Sequence, residues 1–372
     1  MDARDGTRAG RSLPALDGVR GIAILLVFAY HAIAYPGYWF LGGGFLGVDL
    51  FFVLSGFLIT MLLVREWDRH GGISLPRFYS RRALRLLPAL AVLLAGYAVL
   101  TTAFDGASTL WVPLALSAGY VSNVAQGWFG YGMPSQIRQL WSLATEEQFY
   151  LLWPALLIVV LRFGRGRTRP LVLVAAGLAA ASAATCLGMA LAGVNYLHLY
   201  FAPETTFDEL FVGCLFGIWF ARGGPHVLER FRRPATFVSC AFIAWAAWSM
   251  NTWADPRLYR YVTLLFALAC GVVIYSAASA PASPLARGLS APSLRYFGRI
   301  SYALYLWHPL VFWALPLAVG GVLGSRMVAM VLAVIVAELS TRFVEQPFLR
   351  LKNRPRHRAS PRARDAAGAA VA

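Results

Sequence analysis

The sequence predicts an all-α polytopic membrane protein with about ten transmembrane helices and both termini in the cytoplasm. Three observations predict this class: the composition, a series of apolar runs and the distribution of arginine. Of the 372 residues, 59% are hydrophobic and only 13% are charged, whereas roughly a quarter are charged in soluble domains. The chain has too little charge for a soluble surface and is too apolar to be disordered. A multi-pass protein of the cell membrane is the class that remains.

Ten apolar runs approach the ~20 residues that a transmembrane helix requires. Residues 1–15 are polar and arginine-rich, and the run after them is too long for a cleaved signal peptide, so it counts as the first helix. Two runs depart from the pattern, because 207–221 is short and 140–161 contains Glu146 and Glu147. The ten runs are 16–35, 44–64, 86–104, 140–161, 171–193, 207–221, 236–253, 260–279, 299–318 and 323–347.

Basic residues accumulate on one side of this arrangement. If the N-terminus is inside, the inner segments hold 29 of the 33 lysine and arginine residues, and the outer segments hold Arg138, Arg257, Arg260 and Arg326. The positive-inside rule predicts such an asymmetry. It also accounts for the net charge of +16 without a nucleic-acid partner, and none is expected.

The chain divides into one predicted domain and a tail. Residues 1–352 form the expected integral-membrane domain, and 353–372, rich in Arg, Pro and Ala, form a disordered cytoplasmic tail. The longest outer connection, 105–139, contains the apolar stretch "STLWVPLALSAGYV", which is too short to span and predicts an interfacial or re-entrant segment. The cysteines lie in apolar runs without a CxxC pair, so no metal site or disulfide is expected.

Ionisable residues inside membrane spans are costly and therefore mark candidate functional sites. Arg20 and His31 lie on one face of the first helix, roughly 16 Å apart along its axis. His31 could act as a general base, although a membrane anchor for Arg20 and a packing contact for His31 are the alternatives. Asp49 could pair with a membrane histidine or arginine. His308 is expected near mid-membrane, where Pro309 would free a backbone carbonyl beside a cavity.

Two further groups are candidates for substrate contacts. Arg82 and Arg85, in "FYSRRALRLLPAL", share a helix face at the inner surface and could bind a nucleotide phosphate. Topology signalling or contact with anionic membrane lipid is the alternative. Ser142 and Glu146 also share a helix face, whereas Glu147 points elsewhere. The two glutamates are expected at the outer edge, where they could meet hydroxyl substrates or simply favour a helix N-terminus.

Six fragments, in this order, resemble membrane acyltransferase family 3. They cover nearly all of the chain: "LPALDGVRGIAILLVFAYHA", "GGGFLGVDLFFVLSGFLIT", "FYSRRALRLLPAL", "LWSLATEEQFYLLWP", "GRISYALYLWHPLV" and "RFVEQPF". The resemblance implies a ten-helix O-acyltransferase that takes an acyl group, usually acetyl, from cytoplasmic acyl-CoA. Its acceptor would be a sugar hydroxyl in a bacterial cell-envelope glycan or a secreted metabolite.

The resemblance also implies roles for particular positions. The family's Arg–x10–His pair falls on Arg20 and His31, and its R-x-x-R pair, implied in acyl-CoA contact, falls on Arg82 and Arg85. Its glutamate segment falls on Ser142, Glu146 and Glu147. Acyl-CoA would be a donor substrate, with no permanently bound cofactor and no metal. Because many relatives carry an additional C-terminal domain, a separate extracytoplasmic protein that accepts the acyl group is a further expected partner.

Two other classes of protein compete with this interpretation. A secondary transporter or flippase for a glycolipid or small metabolite would use the membrane charges as a proton relay, but no internal repeat supports it. A purely structural membrane subunit would leave His31, Asp49 and His308 unexplained. The sequence alone does not identify the acceptor.

Overall fold

The structure, a computed structural model, describes residues 13–34, 42–104, 106, 110–315 and 321–352, and within these ranges it contains helices and no strand. The all-α class is therefore confirmed. Ten helices of the described chain have 16 residues or more, and each coincides with one predicted run. They are α1 (Pro14–Ala29), α2 (Gly47–His70), α3 (Leu75–Phe104), α4 (Leu140–Phe163), α5 (Thr168–Leu191), α6 (Pro203–Arg222), α7 (Arg232–Ser249), α8 (Thr263–Ser279), α9 (Pro292–Ala314) and α10 (Gly321–Ser340).

Seven helical segments in the described ranges are long and apolar enough to cross a membrane. The other three long helices, α6, α7 and α9, carry charged residues that lower their hydropathy. A multi-pass membrane protein is thus confirmed, whereas the count of ten spans and the cytoplasmic termini stay predictions. The predicted tail 353–372 and positions 35 and 316–318 of the predicted runs lie outside the described residues.

The largest difference from the predicted boundaries is in α3, which begins at Leu75 rather than at position 86. Its first turns contain the arginine-rich segment that was expected in an inner loop, because leucine, phenylalanine, tyrosine and alanine alternate there with arginine and leave an apolar helix face. The apolar stretch in the connection after α3 does not form a helix long enough to span, as predicted. Its apolar stretch forms an 8-residue helix, Trp111–Ala118, which is followed by a short helix, Ser122–Gly127.

The centre of the bundle depends on a close contact between α2 and α6. Gly213 and Gly217 are one turn apart on α6 and face α2. A Cβ added at Gly213 would lie 2.1 Å from the Val53 carbonyl oxygen, and one at Gly217 would lie 2.6 Å from the Phe57 carbonyl oxygen. Small residues at this spacing let two membrane helices approach backbone to backbone. This contact holds α2 in the interior, where it forms part of the site.

Irregular turns interrupt the helices next to the site. A π-helical turn, Tyr30–Ala34, continues α1 and contains His31. A 3-10 turn, Gly42–Leu46, leads into α2. Single π turns occur often at functional sites, because they change the direction of side chains without ending the helix.

Candidate functional site

Two cavities open along one wall of the bundle that α1, α2, α4 and α9 form together. The arginine cavity has a volume of about 220 Å³, and its polar lining includes Arg20, Ser55, Arg82, Arg85, Ser142, Glu146, Tyr150 and Ser301. The histidine cavity has a volume of about 290 Å³, and its lining includes Tyr30, His31, Arg138, Gln139, Trp141, Tyr200, Trp253, Trp313 and Arg326. Val48 and Tyr305 line both cavities.

The direction of α1 relates the two cavities to each other. Arg20, in its second turn, lines the arginine cavity, and His31, just beyond its end, lines the histidine cavity. Both side chains therefore face the interior of the bundle, as their spacing predicts. The two cavities lie toward opposite ends of the same helix, which in a membrane-spanning helix means toward opposite membrane faces.

Arg82 and Arg85 both line the arginine cavity, but they differ in their contacts. The Arg82 Nη2 atom lies 3.2 Å from Glu147 Oε1, and its guanidinium carbon lies 3.2 Å from the centre of the Tyr150 ring. Arg82 is thus held by an ion pair and a cation–π contact. No ion pair or hydrogen bond joins Arg85 to another described residue. Of the two, Arg85 is therefore better placed to meet a ligand anion.

The glutamates of α4 lie with these arginines, so the expected separation, with the glutamates at the outer edge and the arginines at the inner surface, is wrong. Glu147 pairs with Arg82, and Glu146 accepts a 2.7 Å hydrogen bond from Ser55 and lines the arginine cavity. The reason is that both residues lie about two turns inside α4, while Arg82 lies two turns inside the early-starting α3. The prediction that Ser142 and Glu146 share a face is confirmed, since both line the arginine cavity.

His31 and His308 meet at the wall of the histidine cavity. Their ring centres are 4.9 Å apart, and their planes cross at 66°. His31 lines the cavity, whereas His308 is completely buried behind it. His308 lies toward the C-terminal end of α9, which begins at Pro292 and ends at Ala314, and its expected position near mid-membrane stays a prediction. Pro309 lies inside α9 and, because proline has no N–H, it leaves the Tyr305 carbonyl without its helical donor, as predicted.

Backbone contacts determine which nitrogen of each imidazole can accept a proton. The His31 Nδ1 atom lies 2.9 Å from the Val27 carbonyl oxygen, and the His308 Nδ1 atom lies 2.8 Å from the Leu304 carbonyl oxygen. Because a carbonyl oxygen only accepts hydrogen bonds, each Nδ1 carries the hydrogen, and each neutral ring has an unprotonated Nε2. His308 Nε2 is buried and has no hydrogen-bond partner. His31 is thus the base that a molecule in the cavity can reach.

A small hydrogen-bonded group lies between the two cavities. The Ser142 hydroxyl lies 2.5 Å from the Tyr305 hydroxyl, and Tyr305 donates a 3.0 Å hydrogen bond to the Gln139 carbonyl oxygen. Ser142 also lies 3.2 Å from that carbonyl oxygen. Because Tyr305 lines both cavities, this hydrogen-bonded group lies where the two cavities adjoin.

Asp49 belongs to neither cavity, and its expected pairing with a membrane histidine or arginine is wrong. Its side chain hydrogen-bonds to that of Glu209, and both residues are buried. The reason is the close contact of α2 with α6, which brings the first turn of α2 against the second turn of α6. Two carboxyl groups can share a hydrogen bond only if one of them carries a hydrogen. We therefore interpret the Asp49–Glu209 pair as a structural contact that joins α2 to α6.

Several lining residues were not identified from the sequence. Tyr305 and the aromatic residues of the histidine cavity are typical of an apolar membrane helix and gave no signal. Glu209, the partner of Asp49, lines neither cavity. It could have been found, because it falls in a predicted span, where an ionisable residue marks a candidate site. Arg138 and Arg326 could have been found, because they are two of the four basic residues on the predicted outer segments.

The fold defines a polytopic membrane protein with two separate cavities toward the two ends of its bundle. Residues 13–340 match the family described as an acyltransferase domain, and the chain belongs to this family. No solved structure matches it.

Named relatives agree with this assignment. The chain is 35% identical to peptidoglycan O-acetyltransferase OatA of Listeria monocytogenes, covering 92% of this chain and 56% of the relative. It is 31% identical to a putative peptidoglycan O-acetyltransferase, YrhL, of Bacillus subtilis, covering 92% and 55%, and to O-acetyltransferase OatA of Staphylococcus aureus, covering 93% and 60%. The chain thus spans somewhat more than half the length of these relatives. All three are named as acetyltransferases, which gives the transporter alternative no support.

Proposed function

We propose that the protein is a membrane O-acyltransferase that moves an acyl group, usually acetyl, from acyl-CoA to a sugar hydroxyl. The observation that carries this proposal is the single wall on which a cationic cavity and a histidine cavity meet at Tyr305. An acyl transfer across a membrane needs an anion-binding site for the donor on one side, and a base for the acceptor on the other. The wall has both.

The donor end of the proposed reaction is the arginine cavity. The phosphates of acyl-CoA are anions that guanidinium groups bind with charge-assisted hydrogen bonds. Arg85 is the principal contact, because Arg82 is held by Glu147 and Tyr150. Arg20 lines the same cavity and lies 3.4 Å from Asp17. The thin pantetheine arm then extends along the wall toward Tyr305 and carries the thioester to the second cavity.

The acceptor end is the histidine cavity, with His31 as general base. The acceptor hydroxyl oxygen forms a bond to the thioester carbonyl carbon while its proton moves to His31 Nε2. The carbon–sulfur bond then breaks, and the thiolate of CoA leaves and takes up a proton. A positioned base typically contributes about 10²–10⁴-fold to such a reaction. His308 positions His31 through the contact of the two rings, and the Val27 carbonyl holds its tautomer.

The acceptor is proposed to be a sugar of a cell-envelope glycan or of a secreted metabolite. Relatives named as peptidoglycan O-acetyltransferases support the envelope, and the aromatic lining of the histidine cavity supports a sugar. The separate extracytoplasmic protein that accepts the acyl group stays a prediction, as does contact of the inner arginines with membrane lipid.

The test is transfer of labelled acetyl from acetyl-CoA by the purified full-length chain in lipid nanodiscs, with glycan oligosaccharides as acceptors. We expect labelled O-acetyl sugar with the native protein and almost none with His31→Gln. Uptake of unmodified glycan into sealed vesicles without any acetyl transfer would contradict the proposal and favour a transporter.

A further inference from the structure

Two of the four basic residues on the predicted outer segments line the histidine cavity. Arg138 and Arg326 are in its lining, whereas Arg257 and Arg260 are not. Arg257 has a local partner, because its Nη2 atom lies 2.7 Å from Asp255 Oδ2. The hydrogen bonds that the Arg257 side chain donates to Asp255 hold the pKa of Asp255 below its ordinary value. The positive-inside rule disfavours outer arginines. The two at the cavity therefore need a reason of their own.

Among the residues that the structure describes, no acid lies beside Arg138 and Arg326 in the histidine cavity to balance their charges. No aspartate or glutamate of the described chain lines the histidine cavity. The Arg326 Nε atom is buried without a hydrogen-bond partner, and its guanidinium carbon lies 5.6 Å from the centre of the Phe312 ring. Arg138 Nε donates to the Met133 carbonyl at 3.2 Å, a neutral partner. A partly buried cation without a counter-charge, as at Arg326, is costly, and a bound anion would offset that cost. Arg138 is exposed and adds its charge at the same cavity.

The same cavity has aromatic faces that suit a sugar ring. The Trp141 and Tyr200 ring centres are 4.9 Å apart, and those of Tyr200 and Trp253 are 5.3 Å apart, so the three rings form one cluster. The faces of aromatic rings are electron-rich and attract the weakly positive C–H groups of a pyranose. The volume of about 290 Å³ is near the lower limit of roughly 300–1,000 Å³ for ligand sites, which suits a small unit of a glycan.

We propose that the histidine cavity binds an acceptor sugar that carries an anionic group, a carboxylate or a phosphate, with Arg326 and Arg138 as its contacts. The aromatic cluster holds the sugar ring, and the arginines determine which sugar is accepted. This inference rests on the proposed function, because it takes the bound sugar to be the acceptor of the acyl group. Binding of the sugar itself requires neither acyl-CoA nor the transfer reaction. It makes Arg326 and Arg138 specificity-determining residues, separate from the base at His31.

The test compares three ligands that share one ring: glucose, glucose 1-phosphate and glucuronate. Their affinities for the full-length protein in nanodiscs are measured by calorimetry without acyl-CoA. We expect at least one anionic sugar to bind roughly 10–100-fold more tightly than glucose, as for charge-assisted hydrogen bonds. The preferred anion, phosphate or carboxylate, identifies the chemical group of the acceptor. Arg326→Gln should remove this preference and leave the affinity for glucose unchanged.

Two further variants keep the result interpretable. Arg260→Gln is the matched control, since Arg260 is an exposed outer arginine that does not line the cavity, and it should leave all three affinities unchanged. Arg138→Gln changes an exposed residue at the cavity and should reduce the preference even if Arg326→Gln folds poorly.

Three results would overturn the inference. The first is equal affinity of the native protein for all three sugars, and the second is an anion preference that survives in the Arg326→Gln, Arg138→Gln double variant. The third is an equal loss of acetyl transfer to every acceptor in Arg326→Gln with unchanged affinities, which would assign Arg326 to the reaction itself. Acetyl transfer by the native protein, measured separately, shows whether the proposed function fails independently of sugar preference.

Discussion

The two cavities differ most in how their positive charges are balanced. In the arginine cavity, Glu147 pairs with Arg82 and Asp17 lies 3.4 Å from Arg20. In the histidine cavity, no acid of the described residues is present beside Arg138 and Arg326. Internal ion pairs maintain the shape of a site whether or not a ligand is bound, whereas unbalanced cations leave charge for the ligand to neutralise. One end is thus largely assembled in advance, whereas the other, in the proposal above, is completed by its substrate.

The largest expected effect comes from removing the proposed general base from the histidine cavity. His31→Gln keeps hydrogen bonding but cannot take a proton, so turnover should fall by about 10²–10⁴-fold while acyl-CoA binding is unchanged. Because the neutral imidazole is the active form, the native rate should rise with pH as the imidazolium loses its proton. The measurements are labelled-acetyl turnover and donor affinity. Near-normal turnover in a folded variant would remove His31 from the mechanism and make His308 the next candidate.

The reverse experiment removes an arginine from the donor end. Arg85→Ala should weaken acyl-CoA binding by roughly 10–100-fold through loss of a charge-assisted contact, with turnover at saturating donor little changed. Arg85→Lys should restore only part of the affinity, because lysine lacks the planar fork. Donor titrations measure both effects. Unchanged affinity in Arg85→Ala would reassign this residue to topology or to membrane lipid.

Arg82 tests whether the arginine cavity is assembled in advance. Arg82→Leu leaves the Glu147 carboxylate without its partner and should destabilise the protein by about 2 kcal/mol, between the values for exposed and buried ion pairs. The Arg82→Leu, Glu147→Leu double variant should regain part of this loss. Unfolding in detergent, followed by circular dichroism, measures the four proteins of the cycle. Independent, additive effects would mean that the pair does not hold the cavity.

Asp49 lies outside both cavities and should give the smallest effect. Asp49→Asn still hydrogen-bonds to Glu209, so turnover should change by less than about threefold. Asp49→Leu leaves the Glu209 carboxyl unsatisfied and should destabilise the protein by about 1–3 kcal/mol without a specific loss of rate per folded molecule. A large loss of rate in well-folded Asp49→Asn would return this residue to the list of catalytic candidates.

The sequence predicted the bundle well, because the length and polarity of membrane helices follow from the bilayer itself. It also identified most of the arginine, histidine and glutamate residues that line the two cavities, since charges within spans are conspicuous. Asp49 is a residue whose partner could not be predicted from the sequence. A lone acid signals that it needs a partner, but the partner is determined by the glycine contact between α2 and α6, which depends on packing. Tyr305 gave no signal, because one more tyrosine in an aromatic helix is not unusual.

The spacing of Arg20 and His31 along α1 has a consequence for how the protein tolerates change. Arg20 lies on α1 and His31 on the π-helical turn that continues it, so their separation is set by a helical rise of about 1.5 Å per residue, about 16 Å in all. Motions of the surrounding helices can alter the ligand affinity at either end without altering the distance that the proposed acyl transfer covers. Each residue inserted between Arg20 and His31 would therefore rotate one side chain relative to the other by about 100° around the helix axis. Only insertions close to a whole number of turns would keep both side chains on the same wall.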